Sequence, residues 1–459
     1  MHSFGKKNKI STMEMFKRFK RLPYLIQFLY EKVTTSIAFY PMLMVFGFFL
    51  FTGLMFYLEA HGLTAWMDER LPPFLLIKSW NVAQSLLTTL VGALISLMVF
   101  SFSMVMVLLN NAASNFSPRI LPSLISNKFH QFVLGTYLGT IVYCLLMVLN
   151  MTPNQDKLPL PGFSVLLGIV FGVTCLLLFV FFIHSISESV QVGKILQSIH
   201  NETTYNMRNG TISQLSNEAL PKDIDKWKSY TADRSGYLQS VNFQLIGKIC
   251  VEENIKVKVL IPESRFVFEG AELFICNKNL EKDIKNKILE YFVLSVSESA
   301  EKDHIVGFKQ ITEIALKAMS PGINDPGTAL SCINYLTILF TKKMKLPETG
   351  AVKIENENKK EESLPNQIWL SVIGFDELLS FVLAPLRQYA RHDLIVMLKM
   401  LEMLKFLASR NHCTEVHLKI IQREVEILRV DAEEYLTNSA DYNKIIAYIN
   451  TFPKKTIIA

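Results

Sequence analysis

Between Lys78 and Arg119 the sequence carries no charged residue. So long an uncharged run excludes a solvent-exposed helix, and at ~1.5 Å of rise per residue it outlasts the ~30 Å hydrocarbon core of a bilayer. Charged residues make up 19% of the 459 while 50% are hydrophobic, and the mean hydropathy is +0.26, too apolar for a soluble chain of this size, with the apolar excess concentrated before about residue 190. Cysteine is sparse too. Of the 6, Cys144 and Cys175 fall in apolar runs and Cys250, Cys276, Cys332 and Cys413 are scattered without metal-site spacing, so they read as buried, reduced thiols. No phosphate loop, nucleophile motif, Ser/His/Asp or Cys/His set or metal spacing stands out, so no catalytic residue, metal or cofactor is assigned. The first apolar run begins near Ile37, behind too long a leader and without a small-residue cleavage site, so no secretory signal peptide is expected.

What is present is a helical stripe. Thr89, Gly92, Ser96, Ser103, Asn110, Ser114 and Ser117 recur at intervals of three, four and seven, which puts them on one face of a helix backed by Leu, Val, Phe and Met. The run closes in residues 110–119, where Pro118 restricts further helix before Arg119. Spans at about 37–58, 86–109, 132–151 and 163–183 each approach the ~20 apolar residues a crossing requires. Lys6, Lys7, Lys9, Lys17, Arg18, Lys20 and Arg21 precede the first span and supply much of the net charge of +6. They read as a topology signal and not as a nucleic-acid site, and with Arg119 and Lys128 on the same side they place both termini in the cytoplasm.

Residues 1–36 form a basic amphipathic segment, either lying in the lipid interface or packed as a cytosolic helix. Gly135 with Gly139 and Gly168 with Gly172 let the third and fourth spans approach each other or a neighbouring subunit. Polar residues then enter the helical period after Ile183, so the fourth helix is expected to continue to about residue 200 as an amphipathic stalk. His184 and Glu188, four apart at the membrane exit, read as an ion or proton station or as an interfacial hydrogen-bonded pair. Residues 201–234 read as a polar connector, 235–340 as an α+β module in β-α-β-β-α-β order, its middle strand pair turning at Glu269-Gly270, which fits a ferredoxin-like split unit or another small α+β module, 341–365 as a flexible loop and 366–459 as a helical bundle. The fold class is therefore an α-helical integral membrane domain of four transmembrane helices, a cytosolic α+β module and a C-terminal helical bundle.

Inside the module, Ser320-Pro321-Gly322-Ile323-Asn324-Asp325-Pro326-Gly327-Thr328 breaks one helix and starts the next. It reads as a rigid corner, or as a docking point where Asn324, Asp325 and Thr328 meet free helix amides. These residues also carry a likeness. Phe102-Ser103, Asn115-Phe116-Ser117-Pro118-Arg119, Gly135-x-x-x-Gly139-x-x-x-Tyr143, Ser235-Gly236-Tyr237 and Ala318 to Pro326 together resemble a bacterial family of predicted membrane proteins classed as a domain of unknown function, over about 37–340. The resemblance implies a bacterial inner-membrane location and no established activity. One stretch departs from the family pattern, which has Arg-Thr and Gln-Asp pairs ahead of Gly307 where this chain has residues 299–304 as Ser-Ala-Glu-Lys-Asp-His.

Two function classes fit better than an enzyme. In one, Thr89, Ser96, Ser103, Asn110 and Ser114 line a pore built from several copies, since four helices are few for an enclosed pathway, and the cytosolic module gates it. In the other, the same stripe packs small residues together and the module is a membrane-anchored sensor or scaffold that binds a ligand or protein. The expected partners are the lipid bilayer and further copies of the chain, with the small ligand or ion unassigned.

Overall fold

The computed structural model describes residues 38–70, 72, 76–77, 79–115, 128–150, 161–189, 191–216, 218–296, 303–352 and 367–453. The basic segment 1–36 and the exit residues Ser117 and Arg119 lie outside them, as does the side chain of Ser114. The chain divides into two compact units, one ending at Gln191 and one beginning at Val192.

The first unit contains α1 (Phe39–Ala60), the short α2 (Leu63–Asp68), α3 (Trp80–Asn115), α4 (Lys128–Leu149) and α5 (Gly162–Ser189). All but α2 are long and apolar enough to cross a membrane. The core of α4 is 56% buried against 17%, 17% and 22% for α1, α3 and α5, so α4 is the central helix. Its burial follows from its glycines. A side chain at Gly135 would meet Met44 at 2.6 Å and Pro41 at 3.1 Å, and one at Gly139 would strike the Phe48 ring, so α1 lies directly on α4. Gly168 and Gly172 of α5 receive Leu87 and Leu90 of α3 in the same way. The small-residue pairs thus seat the first and second spans, and Gly168 also lies against Tyr143 and Cys144 of the third span, where a side chain would meet them at 3.5 and 3.7 Å. The third and fourth spans are tied further by the Tyr143 hydroxyl, which donates to the Ser164 carbonyl at 2.7 Å.

Gly139→Val is expected to cost the protein about 1–3 kcal/mol through overpacking against Phe48. Gly92→Val, where nothing lies within 4 Å, should leave the thermal midpoint in detergent almost unchanged.

The second unit begins with α6 (Val192–Asn209). The expected continuous stalk is two helices, α5 ending at Ser189 and α6 starting at Val192, with Gly193, a poor helix former, in the first turn of α6. The residues 201–234 read as a connector hold the second half of α6, two short 3-10 turns and β1 (Lys228–Thr231). Next come β2 (Gly236–Val241), α7 (Phe243–Glu252), β3 (Val257–Val259), β4 (Phe266–Val267), β5 (Glu272–Cys276), α8 (Lys282–Glu290) and β6 (Phe292–Ser295). They are followed by α9 (His304–Ala318), α10 (Pro326–Lys343), β7 (Thr349–Ala351), β8 (Ile368–Ser371), α11 (Phe375–Ala390), α12 (Leu394–Ala408), α13 (Glu415–Tyr435) and α14 (Ser439–Ile449).

The elements of the α+β module match the sequence reading, but their pairing does not. One sheet has the order β1-β5-β3-β8-β7 and a second the order β4-β2-β6. The two strands expected to pair at Glu269-Gly270 go to different sheets, so the ferredoxin-like split is replaced by two sheets. Alternation of apolar residues fixes which face of a strand is buried and says nothing of its neighbour. The larger sheet also recruits β7 and β8 from either side of residues 353–366, with β8 parallel to β3, so the module does not close at residue 340. A face-to-face stack of Tyr230, Phe274 and Phe292, with centroids 5.0 and 5.7 Å apart, fills its core. Around α10 a second aromatic chain runs from Phe308 through Phe340 and Phe375 to His417.

Candidate functional site

The polar stripe survives as geometry. Thr89, Ser96, Ser103 and Asn110 are all exposed on the outer side of α3, and Gly92 opens onto empty space. The inward face is Ala83, Leu87, Leu94 and Leu108, each buried. The hydroxyls are not bare, for Thr89, Ser96 and Ser103 donate to the carbonyls of Ser85, Gly92 and Val99 at 2.8, 3.0 and 2.9 Å. Such bonds lower the cost of a hydroxyl in lipid while leaving its lone pairs available to water or to a neighbouring helix.

His184 and Glu188 sit near the end of α5, both exposed, and form no hydrogen bond with each other. The geometry therefore brings no station together there.

A carboxylate that the sequence reading passed over does hold a site in this unit. Glu59 accepts from the Thr64 hydroxyl at 2.6 Å, the Ser164 hydroxyl at 2.7 Å and the Ser164 amide at 3.0 Å, while the Phe163 amide donates to Thr64 at 3.1 Å. The free amides and the positive dipole end of α5 thus receive a carboxylate and a hydroxyl.

In the second unit the corner motif closes on itself. The Asp325 carboxylate accepts from the Thr328 amide at 3.1 Å and its hydroxyl at 2.6 Å, and these bonds hold it below the usual carboxylate range. Ser320 donates to the Lys317 carbonyl, and Asn324 adopts a left-handed backbone, φ 50°, while donating its amide to Ser320. Gly322 meets nothing within 4 Å. Asp325 occupies the helix start that was read as open to a ligand, so these residues make a capped, exposed corner.

The buried ionisable groups lie elsewhere, at the start of α9 and the end of α10. Side-chain exposure is 7% for His304 and 11% for Asp303, and Lys343 is 1% exposed. Asp303 Oδ1 caps α9 through the Ile305 amide at 3.0 Å and lies 3.4 Å from His304 Nδ1. Asp303 Oδ2, His304 Nε2 and Lys343 Nζ have no hydrogen-bond partner among the described residues. Burial raises Asp303, holds His304 down to about 3, and brings Lys343 down to about 8 against the pull of Glu348 and Asp303. His304 is therefore neutral at physiological pH. A cavity of about 30 Å³, room for a water, is lined by Asp303, His304, Thr211, Glu263, Leu370 and Ile373.

An open cleft of about 650 Å³ lies between α11 and α13, bordered by Glu348, Gly374, Asp376, Ser380, Arg423 and Glu424. Its charges are largely spent on one another. Arg423 bonds Asp376 at 2.5 Å, Ser380 at 2.9 Å and the buried Glu424 at 2.9 Å, while Arg387 reaches Asp431 at 2.6 Å. The cluster of Arg387, Arg391, His392 and Asp393 in the sequence resolves into this ion pair, a guanidinium over Tyr435, and a helix cap on α12.

The model of the family described as "Predicted membrane protein (DUF2254)" matches residues 34–406. The chain belongs to this family. An uncharacterised protein of Mycobacterium bovis is 20% identical over 376 residues, covering 78% of this chain and 70% of that protein. An uncharacterised protein of Mycobacterium tuberculosis matches to the same extent. No solved structure matches the chain. The membership agrees with the resemblance to a bacterial family of predicted membrane proteins, and with four helices of membrane-crossing length and composition.

Glu59 and Lys343 were not legible as site residues. Glu59 is a lone acid at the end of an apolar run, and Lys343 stands in Lys342-Lys343-Met344-Lys345, which reads as a solvated helix end.

Proposed function

We propose that this member of the family forms an oligomeric pore for ions or small solutes in the bacterial inner membrane. Several copies bring α3 to a common axis, both termini face the cytoplasm, and the unit from Val192 onward acts as the gate. The observation that carries the reading is the outward direction of Thr89, Ser96, Ser103 and Asn110 while Ala83, Leu87 and Leu94 face inward. In a bilayer an outward polar stripe meets lipid unless water or another copy covers it, and α3 is 17% buried by its own protomer.

The self-bonded hydroxyls favour a second reading in which copies pack stripe to stripe and the protein is an anchored sensor or scaffold. The two part in liposomes. For the pore, Ser103→Leu and Asn110→Leu are each expected to abolish flux from protein that still cross-links as an oligomer. Intact flux in both variants removes this lining. Absence of flux from oligomeric wild-type protein under every ion, voltage and tension tried transfers the function to the sensor.

A further inference from the structure

Glu348 lies where two demands meet. Its Oε1 accepts from the Phe375 amide at 2.6 Å and so caps α11, whose preceding residue, Gly374, has no side chain to do so. The same carboxylate and Asp303 both act to keep Lys343 protonated. Lys343 Nζ is enclosed without a hydrogen bond among the described residues, a position an amine tolerates and an ammonium does not. Four residues connect Lys343 to Glu348, and the Glu348 carbonyl accepts from the Val372 amide at 3.0 Å.

We propose that Lys343 and Glu348 form a proton switch on the start of α11: neutral Lys343 leaves Glu348 to cap the helix, and protonated Lys343 draws that carboxylate away and releases it. Because Glu348, Gly374 and Asp376 border the 650 Å³ cleft, release of the first turn of α11 remodels its wall. The inference does not depend on the pore.

The surrounding charges allow such a competition. On α9 the neighbours are Asp303, neutral His304 and Lys309, whose charge acts on Asp303. From the turn before β4, Glu263 is held by the Thr211 hydroxyl at 3.0 Å and the Val241 amide at 3.2 Å. From α13, His417 is lowered by burial, with Glu348 acting in the opposite direction. On α10 itself Lys342 turns to His200 and Thr204 of α6, at 3.0 and 2.8 Å, with Arg208 acting on it. With Lys343 held at about 8, the two states exchange between neutral and mildly alkaline pH.

Hydrogen exchange of the full chain in nanodiscs tests this, followed at residues 375–378 from pH 6.5 to 9.5 and corrected for intrinsic rate. Wild-type protection is expected to rise about tenfold with pH, since opening of that turn falls as Lys343 deprotonates. Lys343→Met and Lys343→Gln should be well protected at every pH, and Glu348→Gln poorly protected at every pH. Flat wild-type protection, or a pH dependence that persists in both Lys343 variants, overturns the switch.

Discussion

Lys343→Met should make the protein more stable at pH 7, by about 1–3 kcal/mol. Burial lowers this lysine from 10.5 to about 8. At ~1.36 kcal/mol per pKa unit, keeping the proton in the fold costs about 3 kcal/mol net of the favourable charges of Glu348 and Asp303. A methionine fills a similar length without a charge to desolvate. The pH dependence carries the sign. The folded value lies below the unfolded one, so the unfolded chain binds more protons between about 8 and 10.5 and wild-type stability rises with pH across that window. The advantage of the methionine therefore shrinks as the pH approaches 10. Denaturant unfolding at pH 7 and 9.5 checks both points, and a variant less stable at pH 7 would mean that Nζ has a bonded partner in the native protein.

Gly307→Val should have the opposite and larger effect, a loss of about 3 kcal/mol or more, because α6 crosses α9 at this point without room for a side chain. A Cβ there would collide with Thr203 Oγ1 and lie 2.9 Å from Thr203 Cβ and 3.1 Å from Cγ2. Thr203 is 2% exposed, and its hydroxyl donates to the Ile199 carbonyl at 2.6 Å, so it has nowhere to turn. Gly307→Ala alone should cost less, and adding Thr203→Ala should recover most of that loss. Urea titrations of the three variants check the order.

What was readable in the sequence follows from which forces act locally. The four spans were legible because lipid demands long apolar helices, and the Asp325-Pro326 start of α10 because capping chemistry is confined to a few neighbouring residues. The sheets were only half legible. Val257 to Val259 announces a strand, yet nothing in it names Ile368 to Leu370, more than a hundred residues on, as the parallel neighbour. The site divides in the same way. The stripe from Thr89 to Asn110 is periodicity and was visible, whereas its outward direction depends on Leu87 and Leu90 meeting glycines of another helix. The burial of Lys343 depends on α9 and on the approach to α11, and a run of lysines conceals it.

The Glu59 clamp bears on the order in which the membrane unit is made. Glu59 is synthesised 105 residues before Ser164, the residue whose amide and hydroxyl it accepts, so the first helix must wait for the last. Until Gly162 to Ser164 arrive, Glu59 holds only Thr64 of the four-bond clamp, and the Phe163 and Ser164 amides at the start of α5 find their acceptors on Thr64 and Glu59. The bundle is thus closed by the last of its helices to be made, and a chain cut short after α4 would leave the Glu59 carboxylate without the Ser164 amide and hydroxyl it accepts.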